Sequence, residues 1–236
     1  MRHHAAAPGG NVAARVSAGI RIRLRAINCD GRYGAALLAV CAVVLALQFS
    51  GTGAGHLLRY DRAAIAGGEW WRLLTAHLVH LNFRHAALDL GGLALLWMLF
   101  ARDFSPGAWA AVILVTAAAI DLGLWLRDPG VRWYLGISGV LHGLLAAAAF
   151  VRLRRRDLEG WLLAGLLLAK LAYEQLHGAL PFAGDMPVIV DAHLYGALGG
   201  LAAAIVLALS RVAGRPAVPR SRAGAPASGA GRAAGD

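Results

Sequence analysis

The stretch Gly136-Ile137-Ser138-Gly139-Val140-Leu141-His142-Gly143 places a serine and a histidine at the opening of an apolar run, where no solvent serves either group. A serine hydroxyl is a weak nucleophile until a base within hydrogen-bond reach takes its proton. The candidate base is His193, in Asp191-Ala192-His193-Leu194-Tyr195-Gly196 at the start of the last apolar run. Those two residue types support acyl transfer through a serine. Taken alone, a serine between glycines reads equally well as a small-residue face that lets membrane helices approach closely. The His77-x-x-His80 pair with His85, and Asp191-x-His193 further on, also form a set of the kind that holds zinc. Against a metal site, the chain has no His-Glu-x-x-His motif, and zinc would leave the serine without a task. His80 therefore reads as a structural hydrogen-bonding residue.

The elements that must carry these groups are membrane helices. Of 236 residues, 58% are hydrophobic and only 15% charged, and mean hydropathy is +0.58, which excludes an ordinary soluble globule. The net charge of +10 does not point to nucleic acid, because the arginines lie in tails and between apolar runs rather than on a basic face interleaved with aromatics. Such placement suits a topological role, since Lys and Arg hold their flank of a span on the cytoplasmic side. Cys29 and Cys41 imply neither a disulfide framework nor a metal.

Taken in order, residues 1–32 read as a disordered basic tail, residues 33–210 as one membrane domain and residues 211–236 as a second disordered basic tail. Six apolar runs are expected as helices, over residues 35–49, 85–100, 108–126, 136–151, 160–176 and 191–210. The first resembles a signal peptide but lacks a convincing cleavage site, so it reads as an uncleaved helix. The connection from Ser50 to Arg84 carries Trp70 and Trp71 and reads as a loop lying partly on the bilayer. The run from Gly136 covers only about 24 Å at the helical rise, so it is expected in the middle of the bundle, starting below the surface.

Arginines divide so that both termini fall inside: Arg102 and Arg152, Arg154, Arg155 and Arg156 on one side, Arg59, Arg62, Arg72, Arg84, Arg127 and Arg132 on the other. Runs two, four and six then enter from the outer face with polar residues at the same depth: His85 and Asp89, Ser138 and His142, Asp191 and His193. Polar groups inside membranes are costly and mark function or a pathway. Lys170 and Glu174, four apart in run five, read as a mutually neutralising pair facing the bundle. Asp121 has no evident partner. Trp125 and Trp133 read as interface anchors, and Gly91-Gly92 and Gly199-Gly200 as close helix contacts.

Trp71-Arg72, the His80-xxxx-His85-xxx-Asp89 stretch, Gly136-x-Ser138-Gly139 and His193-xx-Gly196 together resemble the rhomboid intramembrane serine proteases, over roughly Glu69 to Ser210. The resemblance implies an all-α polytopic membrane protein with a six-transmembrane-helix bundle. It implies Ser138 as nucleophile and His193 as general base, a dyad without a third carboxylate and without a cofactor. His85 and the Ser138 amide would bind the oxyanion, with Gly136 and Gly139 shaping the loop and first turn around them. Gly196, one turn after His193, would let the sixth helix pack against the fourth.

Two residues depart from the family pattern. Asp89 stands where most rhomboids have asparagine, and a carboxylate facing an oxyanion would oppose it, so Asp89 is expected to orient His85 or to work protonated. His142 stands where an aromatic often stacks on the catalytic histidine, a part an imidazole can play. The Ser138-Gly139-Val140-Leu141-His142-Gly143 string resembles the rhombosortase branch. That implies an inner-membrane enzyme acting on membrane-anchored substrates that end in a Gly-Gly motif, an apolar helix and basic residues, with the lipid bilayer and no nucleic acid as its surroundings. The rival expectation is a non-catalytic rhomboid-like protein that binds transmembrane helices; such relatives lack the serine or the histidine.

Overall fold

A computed structural model describes residues 25–181, 184 and 186–213. The tails expected over residues 1–32 and 211–236 fall mostly outside the described residues.

Each of the six apolar runs is a helix. In chain order the elements are α1 (Gly31–Phe49), α2 (Thr52–Leu58), β1 (Tyr60–Asp61), α3 (Arg62–Ala66), α4 (Arg72–Thr75), α5 (Phe83–Phe100), α6 (Pro106–Arg127), β2 (Trp133–Tyr134), α7 (Ser138–Arg154), α8 (Leu158–His177) and α9 (Val190–Ala213). A single 3-10 turn, Ala101–Asp103, follows α5. The last helix thus runs past the boundary expected at Ser210. Four of the long helices, α1, α5, α6 and α9, are long and apolar enough to cross a membrane by length and composition. α7 has only 17 residues, and α8 carries Glu159, Lys170 and Glu174.

Local signals set the helix ends. The Asn82 side chain accepts from the His85 amide at 2.9 Å and starts α5. Ser105 accepts from the Ala108 amide at 3.3 Å and starts α6, with Pro106 in the first turn, where its missing N–H costs nothing. At the other end of α6, Arg62 donates to the carbonyls of Leu124, Trp125 and Asp128 and lies 4.8 Å over the Trp125 ring. That arginine satisfies carbonyls that a helix end leaves open. Arg72 is 6% exposed and holds Glu69 and the carbonyls of His56 and Arg59. Arg62 and Arg72, two of the arginines expected on the outer side, therefore have structural roles of their own.

The connection between α1 and α5 is a folded layer rather than an open loop. Its short helices are tied to the segment before α7 by an antiparallel pairing of Tyr60 with Tyr134 and Asp61 with Trp133. Trp70 and Trp71 stay exposed, as expected of side chains at a membrane interface.

At the centre stands α7, whose residues from Gly139 to Ala149 are almost all buried. It packs against α9 and α8, while α9 also packs against α6. The α7 and α9 backbones meet glycine to glycine: a Cβ on Gly196 would collide with the Gly139 carbonyl, and one on Gly200 with the Gly143 carbonyl. Gly199 is pressed against Ala119 and Thr116 of α6. Of the two glycine pairs expected as helix contacts, Gly199-Gly200 meets neighbouring backbones; of Gly91-Gly92, Gly92 meets the Leu141 side chain of α7 and Gly91 faces open space.

Replacing Gly196 or Gly200 by alanine should destabilise the bundle by about 1–3 kcal/mol, the cost of overpacking a tight contact. Gly91→Ala should cost nothing or stabilise slightly, because helix interiors favour alanine over glycine. Thermal unfolding of the three variants in one detergent checks this ordering.

Candidate active site

Of the residues singled out in the sequence, His85, Asp89, Ser138, His142 and His193 line one cavity of about 370 Å³, bounded by α5, α7, α8 and α9 and by the segments preceding α7 and α9. Ser138 is the first residue of α7, reached through Gly136 at φ +112°, a left-handed conformation that a side chain would strain. A Cβ on Gly136 would also sit 2.9 Å from the His85 ring. The Gly136 amide donates to the Ala76 carbonyl at 3.0 Å, which fixes the loop against the first-loop layer. Tyr134 closes the loop from below, donating its hydroxyl to the Gly136 carbonyl at 2.9 Å. Burial pushes the Tyr134 phenol above the ordinary tyrosine range, so it stays a donor.

Ser138 Oγ lies 3.0 Å from His193 Nε2, across the α7–α9 seam. His193 is 5% exposed. His142, one turn after Ser138, stacks on His193 with ring centroids 4.1 Å apart and planes 17° from parallel. Its Nδ1 donates to the Ser138 carbonyl at 2.7 Å. The imidazole thus takes the stacking position expected of an aromatic. Gly139 has no room for a side chain: a Cβ would come within 2.9 Å of the Ala192 carbonyl and 3.1 Å of the Tyr134 hydroxyl. The amides of a helix's first turn have no intrahelical partner, so the start of α7 offers N–H groups beside Ser138.

One feature differs from the bare dyad that the family resemblance implied. Glu174 of α8, 3% exposed, sets Oε2 2.9 Å from His193 Nδ1 and 2.6 Å from Lys170 Nζ. Lys170 and Glu174 do pair, as expected, but the carboxylate has a second partner that the pairing pattern did not reveal. The signal available in the sequence was an acidic residue within an apolar run, which marks function by its cost.

Asp89 gathers two histidines: its Oδ2 is 3.1 Å from His80 Nε2 and 3.4 Å from His85 Nε2. The Leu81 amide donates to His85 Nδ1 at 3.4 Å, so in neutral His85 the proton sits on Nε2, facing Asp89. This geometry suits a carboxylate that orients His85. His77 turns elsewhere, 3.5 Å from Asp121, which supplies the partner the sequence did not show. The loop histidines are therefore divided between two acids, and His193 lies apart from them. The donor atoms of His142, Glu174 and His193 fall within 4.8 Å of one another, yet each residue already has a protein hydrogen-bond partner, so the arrangement reads as a chain of hydrogen bonds. Asp191 is half-buried and does not line the cavity.

Comparison with known proteins adds an independent line. The family model described as a rhomboid domain matches residues 67–210. YdcA of Bacillus subtilis (strain 168), assigned by name to the rhomboid proteases, is 26% identical over 136 residues, which cover 58% of this chain and 66% of the relative. The rhomboid protease GluP of the same organism is 24% identical over 155 residues, 64% of this chain and 29% of its own length. The chain thus spans just under two thirds of the first relative and under a third of the second.

If the His142 ring matters through stacking, His142→Phe should leave the reaction of Ser138 with a fluorophosphonate within about threefold of the parent, whereas His142→Ala should slow it roughly two- to tenfold further, the worth of one ring contact. Labelling rates followed by intact mass read the difference.

Proposed function

Because the chain belongs to the rhomboid family and is a multi-pass membrane protein, we propose that it is an intramembrane serine protease in which Ser138 is the nucleophile and His193 the general base. The observation that carries this reading is the 3.0 Å contact between Ser138 Oγ and His193 Nε2 at a cavity roofed by short loops and lined by four helices. His193 Nε2 takes the hydroxyl proton as Oγ attacks a peptide carbonyl, then returns it to the leaving amine. The acyl-enzyme is hydrolysed by water reaching the cavity through the loops. The oxyanion receives the Ser138 amide and, once its Nε2–H turns from Asp89, His85. Preorganised donors of this kind contribute several kcal/mol where water is excluded. Asp89 holds His85 in place for that turn, and no metal or cofactor takes part.

The reading extends to six spans, with α7 and α8 joining the four helices that qualify by composition. In the same reading the tails cover residues 1–32 and 211–236, both termini are cytoplasmic, and the membrane is the inner one. The arginines of the 152–156 cluster support that orientation; Arg152 and Arg155 are each 2.9 Å from Asp103, which ties the inner ends of α5 and α7 together.

Within the family, the Ser138-to-Gly143 string supports a rhombosortase that removes C-terminal sorting tails of the Gly-Gly, apolar helix and basic type. A scissile peptide must leave its helix to be attacked, and glycine lowers helix stability by about 1 kcal/mol relative to alanine. A Gly-Gly pair at the top of a span opens where the serine can reach it.

Co-expression with a membrane-anchored reporter bearing such a tail tests the reading. The parent should shorten the reporter by the mass of its tail, and Ser138→Ala and His193→Ala should each lower the rate by about a thousandfold or more. A reporter left intact by the parent, with Ser138 inert to serine probes, would favour a protein that binds transmembrane helices without cutting them.

A further inference from the structure

A lysine and a glutamate four residues apart on a membrane helix can neutralise each other on any face of it. In α8 they do so on the face that touches the catalytic candidate. Glu174 Oε2 is shared between Lys170 Nζ at 2.6 Å and His193 Nδ1 at 2.9 Å, and Glu174 and His193 are 3% and 5% exposed. The acyl-transfer steps proposed for Ser138 and His193 do not themselves require this carboxylate.

We propose that Glu174 is a positioning residue that completes a Ser138, His193, Glu174 triad, with Lys170 holding the carboxylate in register. The proposal rests on the protease reading of Ser138 and His193. Its logic is that of tautomers. A neutral imidazole carries one N–H, and an ionised carboxylate can only accept. With Glu174 against Nδ1, the proton is held there, and the Nε2 lone pair is left facing the Ser138 hydroxyl 3.0 Å away. When the serine proton moves to Nε2, the imidazolium that forms lies beside a fixed negative charge, and no proton need pass to Glu174. The groups facing His193 are Glu174 and Lys170 from α8 and Ser138 and His142 from α7. Of these only Glu174 can be an anion that fixes the Nδ1 proton. Lys170 is half-buried and lines the cavity wall; by sharing Oε2 it limits the carboxylate's rotation.

The test uses the full chain in detergent, with cleavage of the Gly-Gly reporter and histidine 15N spectra as separate readouts. Glu174→Gln should lower kcat/KM by about a hundredfold or more, since an amide can donate to Nδ1 and turn the imidazole to the wrong tautomer. Glu174→Asp should recover part of that loss. The double variant Lys170→Met, Glu174→Gln removes both charges together and so spares the fold the cost of one uncompensated ion. It should be as slow as Glu174→Gln. In the spectra, His193 should carry its proton on Nδ1 in the parent and lose that preference in both Gln variants. A double variant with parental kcat/KM and an unchanged His193 tautomer would overturn the proposal and leave Glu174 as no more than the partner of Lys170. If the parent cuts nothing and its Ser138 is inert to serine probes, the protease reading fails, while the tautomer comparison still decides whether Glu174 sets the His193 proton.

Discussion

Two helices can bring a serine and a histidine to 3.0 Å only if their backbones come close, and side chains of ordinary size prevent that approach. In this bundle the constraint is met by glycines on both sides of one seam. Gly139 and Gly143 of α7 face Gly196 and Gly200 of α9 so tightly that an added Cβ at either α9 position would strike a carbonyl oxygen. Within lipid, apolar burial does little to draw helices together, and close packing of small residues takes its place. The seam therefore does two jobs at once. It draws α7 and α9 together, and it sets the separation between Ser138 and His193.

Everything polar at the cavity is arranged around that fixed separation. An unpaired charge inside a membrane is expensive, and the ionisable side chains that line the cavity each have a partner. His193 is held between Ser138 and Glu174, and His142 covers its face. Asp89 gathers His80 and His85 on the opposite wall. The first-loop layer packs beside the segment that leads into Ser138: Arg72 ties the layer internally, the Tyr60–Tyr134 pairing links it to that segment, and Gly136 fixes the last bend. Rigid scaffolding of this sort keeps Ser138 at the mouth of a short helix.

Much of this could be read from the chain because membranes penalise polar residues so heavily. Ser138, His193, His142, His85 and Asp89 stood out inside apolar runs, and spacing along three helices entering from one side placed them at one depth, where the structure brings them around one cavity. The four-residue step from Ser138 to His142 put both on one helix face, and the family resemblance implied a ring stacked there on His193, where the His142 imidazole lies. What could not be read was rotation about a helix axis. Lys170 and Glu174 satisfy each other's pattern whichever way α8 is turned, so nothing in the sequence pointed Glu174 at His193. Gly91-Gly92 and Gly199-Gly200 look alike as sequence, yet only the second pair meets the backbone of neighbouring helices. Asp121 and His77 are likewise joined only once α6 is set against the first loop.

Whether its neighbours make Ser138 nucleophilic is tested most directly by peptide mapping of the protein after reaction with a fluorophosphonate in its native bundle. A single covalent adduct on Ser138 is expected, and it should disappear when the protein is unfolded before exposure, because the proposed dyad needs the α7–α9 seam to hold His193 against the hydroxyl. An adduct at some other serine, or none under conditions that label a working rhomboid protease, would contradict the proposed dyad.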